Sequence, residues 1–126
     1  MNLKTIALAT ILGLSAPAIA DVALNTHTIA QPSAPLGTFT DSQWLVTIEY
    51  YDNALSYYGE NLITGDNLTL RGATIGGNRQ RRIYTWNNSG YRYQVSWRPS
   101  QPEVIRVQVF DTRGKEILNH LLTKSN

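Results

Sequence analysis

The residues best suited to chemistry in this chain are arginines. Eight of them fall between Arg71 and Arg113, and several recur at strand-like spacing. Arg92 and Arg98 share one alternating face with Gln94 and Ser96, and Arg106 lies beside Gln108 on the polar face of the next run. Arg79, Arg81 and Arg82 crowd the end of a Gly76-Gly77 turn. A guanidinium is planar, permanently charged and bidentate, which suits carboxylate, sulfate or phosphate groups. If these runs are neighbours, Arg81, Arg82, Arg92, Arg98 and Arg106 converge on one sheet face that could hold an anionic polymer. The competing reading is a solvated face, or cross-strand pairing with carboxylates. Charge is divided along the chain in a way that permits either. Residues 21–66 hold six acidic residues and no Lys or Arg, whereas residues 67–126 hold ten basic residues against three acidic ones.

Aromatic residues form the second set. All twelve lie between Phe39 and Phe110. Trp44, Tyr93 and Trp97 fall on apolar faces and are expected in the core. Tyr51, Tyr57 and Trp86 (with Asn87) are candidates for exposed rings on which a sugar could stack; the alternative is packing at the rim with a wet hydroxyl.

Catalytic constellations are sparse. The chain has no cysteine, which excludes thiol nucleophiles, disulfide scaffolds, cysteine-ligated metals and iron–sulfur clusters. Its two histidines are His27 and His120, and no serine signature accompanies either. Glu49, Asp52, Glu60 and Asp66 are the only local acidic set, and a small envelope hydrolase using Glu49 or Asp66 is the weakest of the functional readings. No phosphate loop or calcium loop is present. The sequence therefore implies no metal and no cofactor, and points to a non-catalytic protein.

The elements that must position these residues are strands. Trp44, Val46, Ile48 and Tyr50 alternate with Leu45, Thr47, Glu49 and Tyr51. Leu68 and Leu70 give a second strand, Arg82, Tyr84 and Trp86 a third, and Tyr91, Tyr93, Val95 and Trp97 the cleanest alternation of all. Ile105, Val107 and Val109 follow a loop bracketed by Pro99 and Pro102. Turns are expected at residues 75–78, 87–90 and 111–114. Residues 54–60 and the final KEILNHLL are ambiguous, because the leucine spacing in the latter also fits a helix face; the short preceding turn favours a strand. Links this short can only join antiparallel neighbours. The expected fold is an all-β antiparallel meander curled into a small barrel or sandwich, occupying residues 41–126.

Ahead of it, Lys4, an apolar run over residues 5–14 and Ala18-x-Ala20 make the three-part pattern of a secretory signal, with cleavage after Ala20. Residues 21–40, with two prolines and one charge, read as an extended leader. Export without cysteine points to a bacterial periplasmic or extracellular product. After removal of the signal no stretch is long enough to span a membrane.

The stretch from Tyr84 to Leu122, with its pieces YRYQVSW, IRVQVF and EILNHLL, resembles small exported proteins encoded in cyanobacterial genomes. The resemblance covers about a third of the chain and implies a compartment but no activity. The leading expectation is thus an exported binding domain for an anionic envelope or extracellular polysaccharide. The alternative is a structural or assembly protein that contacts an envelope protein. Nucleic acid is not expected in that compartment.

Overall fold

The structure is a computed structural model that describes residues 33–125; the expected signal segment and residues 21–32 of the expected leader lie outside the described residues. Period-two alternation is realised as nine strands: β1 (Gly37–Thr40), β2 (Trp44–Tyr51), β3 (Ala54–Asn61), β4 (Asn67–Arg71), β5 (Thr74–Gly77), β6 (Arg82–Asn88), β7 (Tyr91–Trp97), β8 (Val104–Phe110) and β9 (Glu116–Lys124). All pairings are antiparallel, and no helix occurs among the described residues. The ambiguous 54–60 and KEILNHLL segments are both strands, β3 and β9.

One sheet contains all nine strands in the order β4-β3-β2-β1-β9-β8-β7-β6-β5. Every pair of sequence neighbours is therefore hydrogen-bonded except β4 and β5, and the first strand pairs with the last. The sheet curls into a half-barrel, which brings β4 against β6 without a ladder between them. Turn chemistry assists the curl. Asp52-Asn53 (φ 52° and 64°) and Ser89-Gly90 (φ 51° and 85°) place both central residues at positive φ. That is the primed geometry whose twist matches the twist of paired strands.

Two boundaries differ from the sequence reading. The domain begins before residue 41: β1 pairs with β2 over Gly37–Thr40, and Ala34 and Pro35 are buried ahead of it. Alternation over four residues is too short to stand out from a segment rich in Thr, Ala and Pro. The turn assigned to residues 75–78 is instead at 78–81, because Gly76 and Gly77 still pair with Ile83 and Arg82. Asn78 makes the turn, its Oδ1 accepting the amides of Gln80 and Arg81 (both 2.9 Å). Gly77 sits at φ 82°, and a Cβ there would strike the Arg81 carbonyl.

The concave face carries the core. Trp86, Trp97, Tyr84, Phe39, Ile48 and Ile105 are its largest fully buried side chains. At the unpaired seam Tyr57 on β3 packs against Trp86 and Tyr93, and one backbone carbonyl takes two donors. The Leu55 carbonyl on β3 accepts the Trp86 indole N–H (3.1 Å) and the Ala73 amide (3.3 Å) from the β4–β5 link. Trp86→Phe removes that donor and leaves a small void. We expect a loss of about 2–4 kcal/mol in denaturant unfolding, with faster hydrogen exchange at the Ala73 amide than in the wild type.

Candidate functional site

Two of the concavities among the described residues lie on opposite faces of the sheet. The first is a groove of about 560 Å³ on the convex face, lined by Arg81, Ser96, Arg98, Gln101, Arg106 and Leu121 among others. Its three guanidiniums come from three places: the turn before β6, the end of β7 and the middle of β8. The register explains the meeting. Ser96 on β7 stands opposite both Ile83 on β6 and Arg106 on β8, so residues flanking Ser96 share one outward patch. Trp97 anchors the rim from below, its indole donating to the Pro102 carbonyl (3.3 Å), while Gln101 N bonds Arg98 O (2.9 Å). The proline-bracketed loop is thus held where it presents Arg98 and Gln101.

These guanidiniums have neutral partners. Arg81 Nη2 lies 3.4 Å from Ser96 Oγ, and Arg106 Nη1 donates to Asn119 Oδ1 at 2.6 Å. Asn119 in turn donates to Glu116 (2.8 Å), so the nearest acid is one side chain removed from Arg106. Among the described residues the only ion-pair contact is His120 with Asp41, and no arginine is paired with a carboxylate. The cross-strand charge pairing weighed from the sequence does not occur there.

The other sequence candidates are dispersed. Arg92 lies four residues from Ser96, roughly 13 Å along β7, with its guanidinium 4.4 Å from the Phe110 ring centroid. Arg82 falls on the concave parity beside Tyr84 and donates to the Ser33 carbonyl (3.0 Å). Tyr51 is exposed, but Arg71 covers one ring face at 3.5 Å. Trp86 is 1% exposed and Tyr57 4%, so neither is an open stacking platform; both turn inward, with ring centroids 5.3 Å apart. Trp86 shares its parity with Tyr84, so alternation alone assigns it to the core. Glu49 lies on the convex face and Asp66 lines the concave cavity, so the two proposed hydrolytic carboxylates are on opposite sides of the sheet. No cluster with metal-ligating composition occurs among the described residues.

The second concavity is a cavity of about 290 Å³ inside the curl, walled mainly by apolar side chains such as Val46, Leu68, Val107 and Leu118. Trp44, Tyr57 and Tyr93 also line it, and Asn61, Asp66 and Asn67 stand on the β3–β4 turn beside it. Burial pushes the Tyr57 phenol upward, and the neighbouring Tyr93 adds to the effect. The Trp44 indole N–H is buried and has no hydrogen-bond partner. An unsatisfied buried donor costs about 1–3 kcal/mol. Nothing in the sequence signalled it.

Trp44 is held in place from behind. Asp41 Oδ1 accepts the amides of Gln43 (2.8 Å) and Trp44 (2.6 Å), and its Oδ2 meets His120 Nδ1 at 2.6 Å. The His120 ring then packs edge-on to Trp44 with centroids 6.3 Å apart. His120 thus links β9 to the β1–β2 turn and packs against Trp44.

No family model, curated protein or solved structure matches the chain. The functional reading therefore rests on geometry.

Desolvation by burial pulls the Asp41 carboxyl up, but the hydrogen bonds from His120 and from the Gln43 and Trp44 amides outweigh it, and the net shift is downward. A carboxyl lowered in the folded state stabilises the fold above its unfolded value and loses that contribution as pH falls. We expect the wild type to lose stability as pH drops below about 4, and Asp41→Asn to show a shallower acid dependence in urea unfolding at stepped pH.

Proposed function

We propose that the protein is an exported, non-catalytic binding domain that takes the carboxylate or sulfate groups of an anionic envelope or extracellular polysaccharide into the convex groove. One observation carries the reading: three guanidiniums, Arg81, Arg98 and Arg106, line one groove without a carboxylate partner. An arginine whose role is to stabilise the sheet would gain from an opposite charge across the strands. Here single neutral contacts, Arg81 to Ser96 and Arg106 to Asn119, leave the other guanidinium N–H groups without a partner among the described residues, and Gln101 adds a neutral hydrogen-bonding group suited to sugar hydroxyls. Bidentate hydrogen bonds from a guanidinium fix the orientation of a planar carboxylate. Leu121 gives the groove one apolar wall against which a sugar ring can lie.

A linear polyanion releases counterions where it is neutralised, so its binding weakens as salt rises. Co-sedimentation of the protein with polygalacturonate and with neutral dextran across a salt series tests this. We expect binding to polygalacturonate alone, falling steeply with salt. Each single Arg81→Ala, Arg98→Ala or Arg106→Ala change should weaken it about three- to tenfold and reduce the salt slope by about one. Arg92→Ala, outside the groove, should retain nearly full binding. A triple groove variant that binds as well as wild type would end this reading.

A second reading, assembly through sheet edges, has its own observation: the outer edge of β5 is unpaired and carries Ile75 at 62% exposure. Exposed edges template pairing with another chain. That reading expects a concentration-dependent, salt-insensitive dimer by light scattering, abolished by Ile75→Lys. A monomer at every concentration removes it.

A further inference from the structure

We infer that the concave cavity binds a small, uncharged, mainly apolar molecule held by one hydrogen bond from the Tyr57 hydroxyl to an oxygen of the ligand. This goes beyond the groove on the other face and does not depend on it.

Tyr57 places a donor in an apolar wall. Its side chain lines the cavity and is buried. Its hydroxyl has no hydrogen-bond partner among the described residues; burial and the neighbouring Tyr93 are what act on the phenol. Among those residues, the one partnerless side-chain nitrogen or oxygen sealed from contact is Trp44 Nε1. The Tyr57 oxygen therefore keeps surface that a small molecule can touch. A buried tyrosine hydroxyl ordinarily finds a partner. Here an occupant of the cavity would supply it.

The ring is held so that the hydroxyl faces this space. Its centroid lies 5.3 Å from that of Trp86 and 5.8 Å from that of Tyr93. Gly59, also part of the wall, lies inside β3 at an ordinary φ, so backbone conformation does not demand glycine there. A Cβ would come within 2.8 Å of Tyr57 Cε1 and 3.0 Å of its hydroxyl. Glycine thus lets the ring lie along its own strand with the hydroxyl over Gly59. Glycine inside a strand often marks such a close approach.

Size and charge select the ligand class. Interiors of folded domains leave few voids larger than a water molecule. An apolar cavity of about 150 Å³ accommodates benzene. The space here is about 290 Å³, which suits a ligand of roughly a dozen non-hydrogen atoms or fewer. Among the described residues no Lys or Arg lines it, and Asp66 is its only carboxylate. An acid would find no cation inside and one repelling group beside it. The other polar groups are engaged. Asn61 Oδ1 accepts the amides of Ile63 (2.9 Å) and Thr64 (3.2 Å), Asn67 Nδ2 donates to Gly65 O (3.2 Å), and the Tyr93 hydroxyl has the Asn88 side chain beside it. Burial also keeps the Tyr57 phenol protonated, so its donor persists. A neutral ketone, ester or ether fits; an anion does not.

Acetophenone and cumene test this, because a carbonyl oxygen in the first stands where the second has a methyl group. Each is titrated into protein carrying nitrogen-15 in its amides and carbon-13 at the tyrosine Cζ. We expect both to move the amides of wall residues such as Gly59, Leu68 and Leu118. Acetophenone should carry the Tyr57 Cζ resonance further downfield than cumene does. Tyr57→Phe keeps the ring and removes the donor. It should weaken acetophenone about three- to tenfold and leave cumene within about twofold. Desolvation of the ketone is common to both proteins and cancels in this comparison. The inference is overturned if neither compound moves wall amides in the wild type, or if Tyr57→Phe changes both affinities by the same factor. The wild type alone also decides: acetophenone that saturates while Tyr57 Cζ moves no further than with cumene overturns it. Neutral probes bypass the arginine groove, so failure here leaves the polysaccharide reading standing, and the reverse.

Discussion

The structure depends on the pairing of its first strand with its last. β1 meets β9 over only two register pairs, Phe39 with Lys124 and Thr40 with Thr123, extended by Ser125 N to Thr38 O at 2.9 Å. That short ladder joins two meanders, β1–β4 and β5–β9, into one sheet. The Asp41–His120 contact lies just past its end, tying the β1–β2 turn to β9. Elsewhere the two meanders meet at the unpaired seam, where Trp86 donates to the Leu55 carbonyl and packs against Tyr57. With closure set in this way, the curl is fixed, and so is the space it encloses.

The two candidate sites are opposite sides of one pleated surface. Residues of even number on β7 and β8 point outward and give Ser96 and Arg106 to the groove; odd ones point inward and give Tyr93, Val107 and Val109 to the cavity. A one-residue slip would exchange the two sets and put a guanidinium into the core. The apolar inner face thus specifies the register that assembles the outer basic groove. At the far end of β8 that register shifts between Val109 and Phe110, leaving Ile117 more than half exposed at the cavity. The bulge sits where the wall meets solvent, a common place for such irregularities.

Most strands were legible because one face is buried and the other wet, which writes a period of two into the residues. β1 was hidden by its length, whereas β9 was legible as a strand from the short turn before it, despite leucines whose spacing also fits a helix. The groove was legible in part. Arg81, Arg98 and Arg106 meet as their spacing suggested, but Arg82 has the opposite parity and Arg92 is too far along its strand. Tyr57 and Trp86 were read as candidate exposed rings but are buried, because their neighbours across the curl cover them. What no pattern announced was the unpartnered Trp44 indole. Satisfaction of a donor depends on atoms brought from β9 and the β1–β2 turn, and single-strand periodicity carries no record of them. Gly59, a glycine amid tyrosines in a strand, was the one local sign of close packing at that wall.

The central claim is that three particular guanidiniums form one anion site. Arginine Nε–H resonances of the labelled protein, followed during titration with a short oligogalacturonate, test it most directly. The account predicts that Arg81, Arg98 and Arg106 shift together and saturate at one common affinity, while Arg92 and Arg113 remain unmoved. Equal small shifts at every arginine, or a saturable shift centred on Arg92, would contradict it.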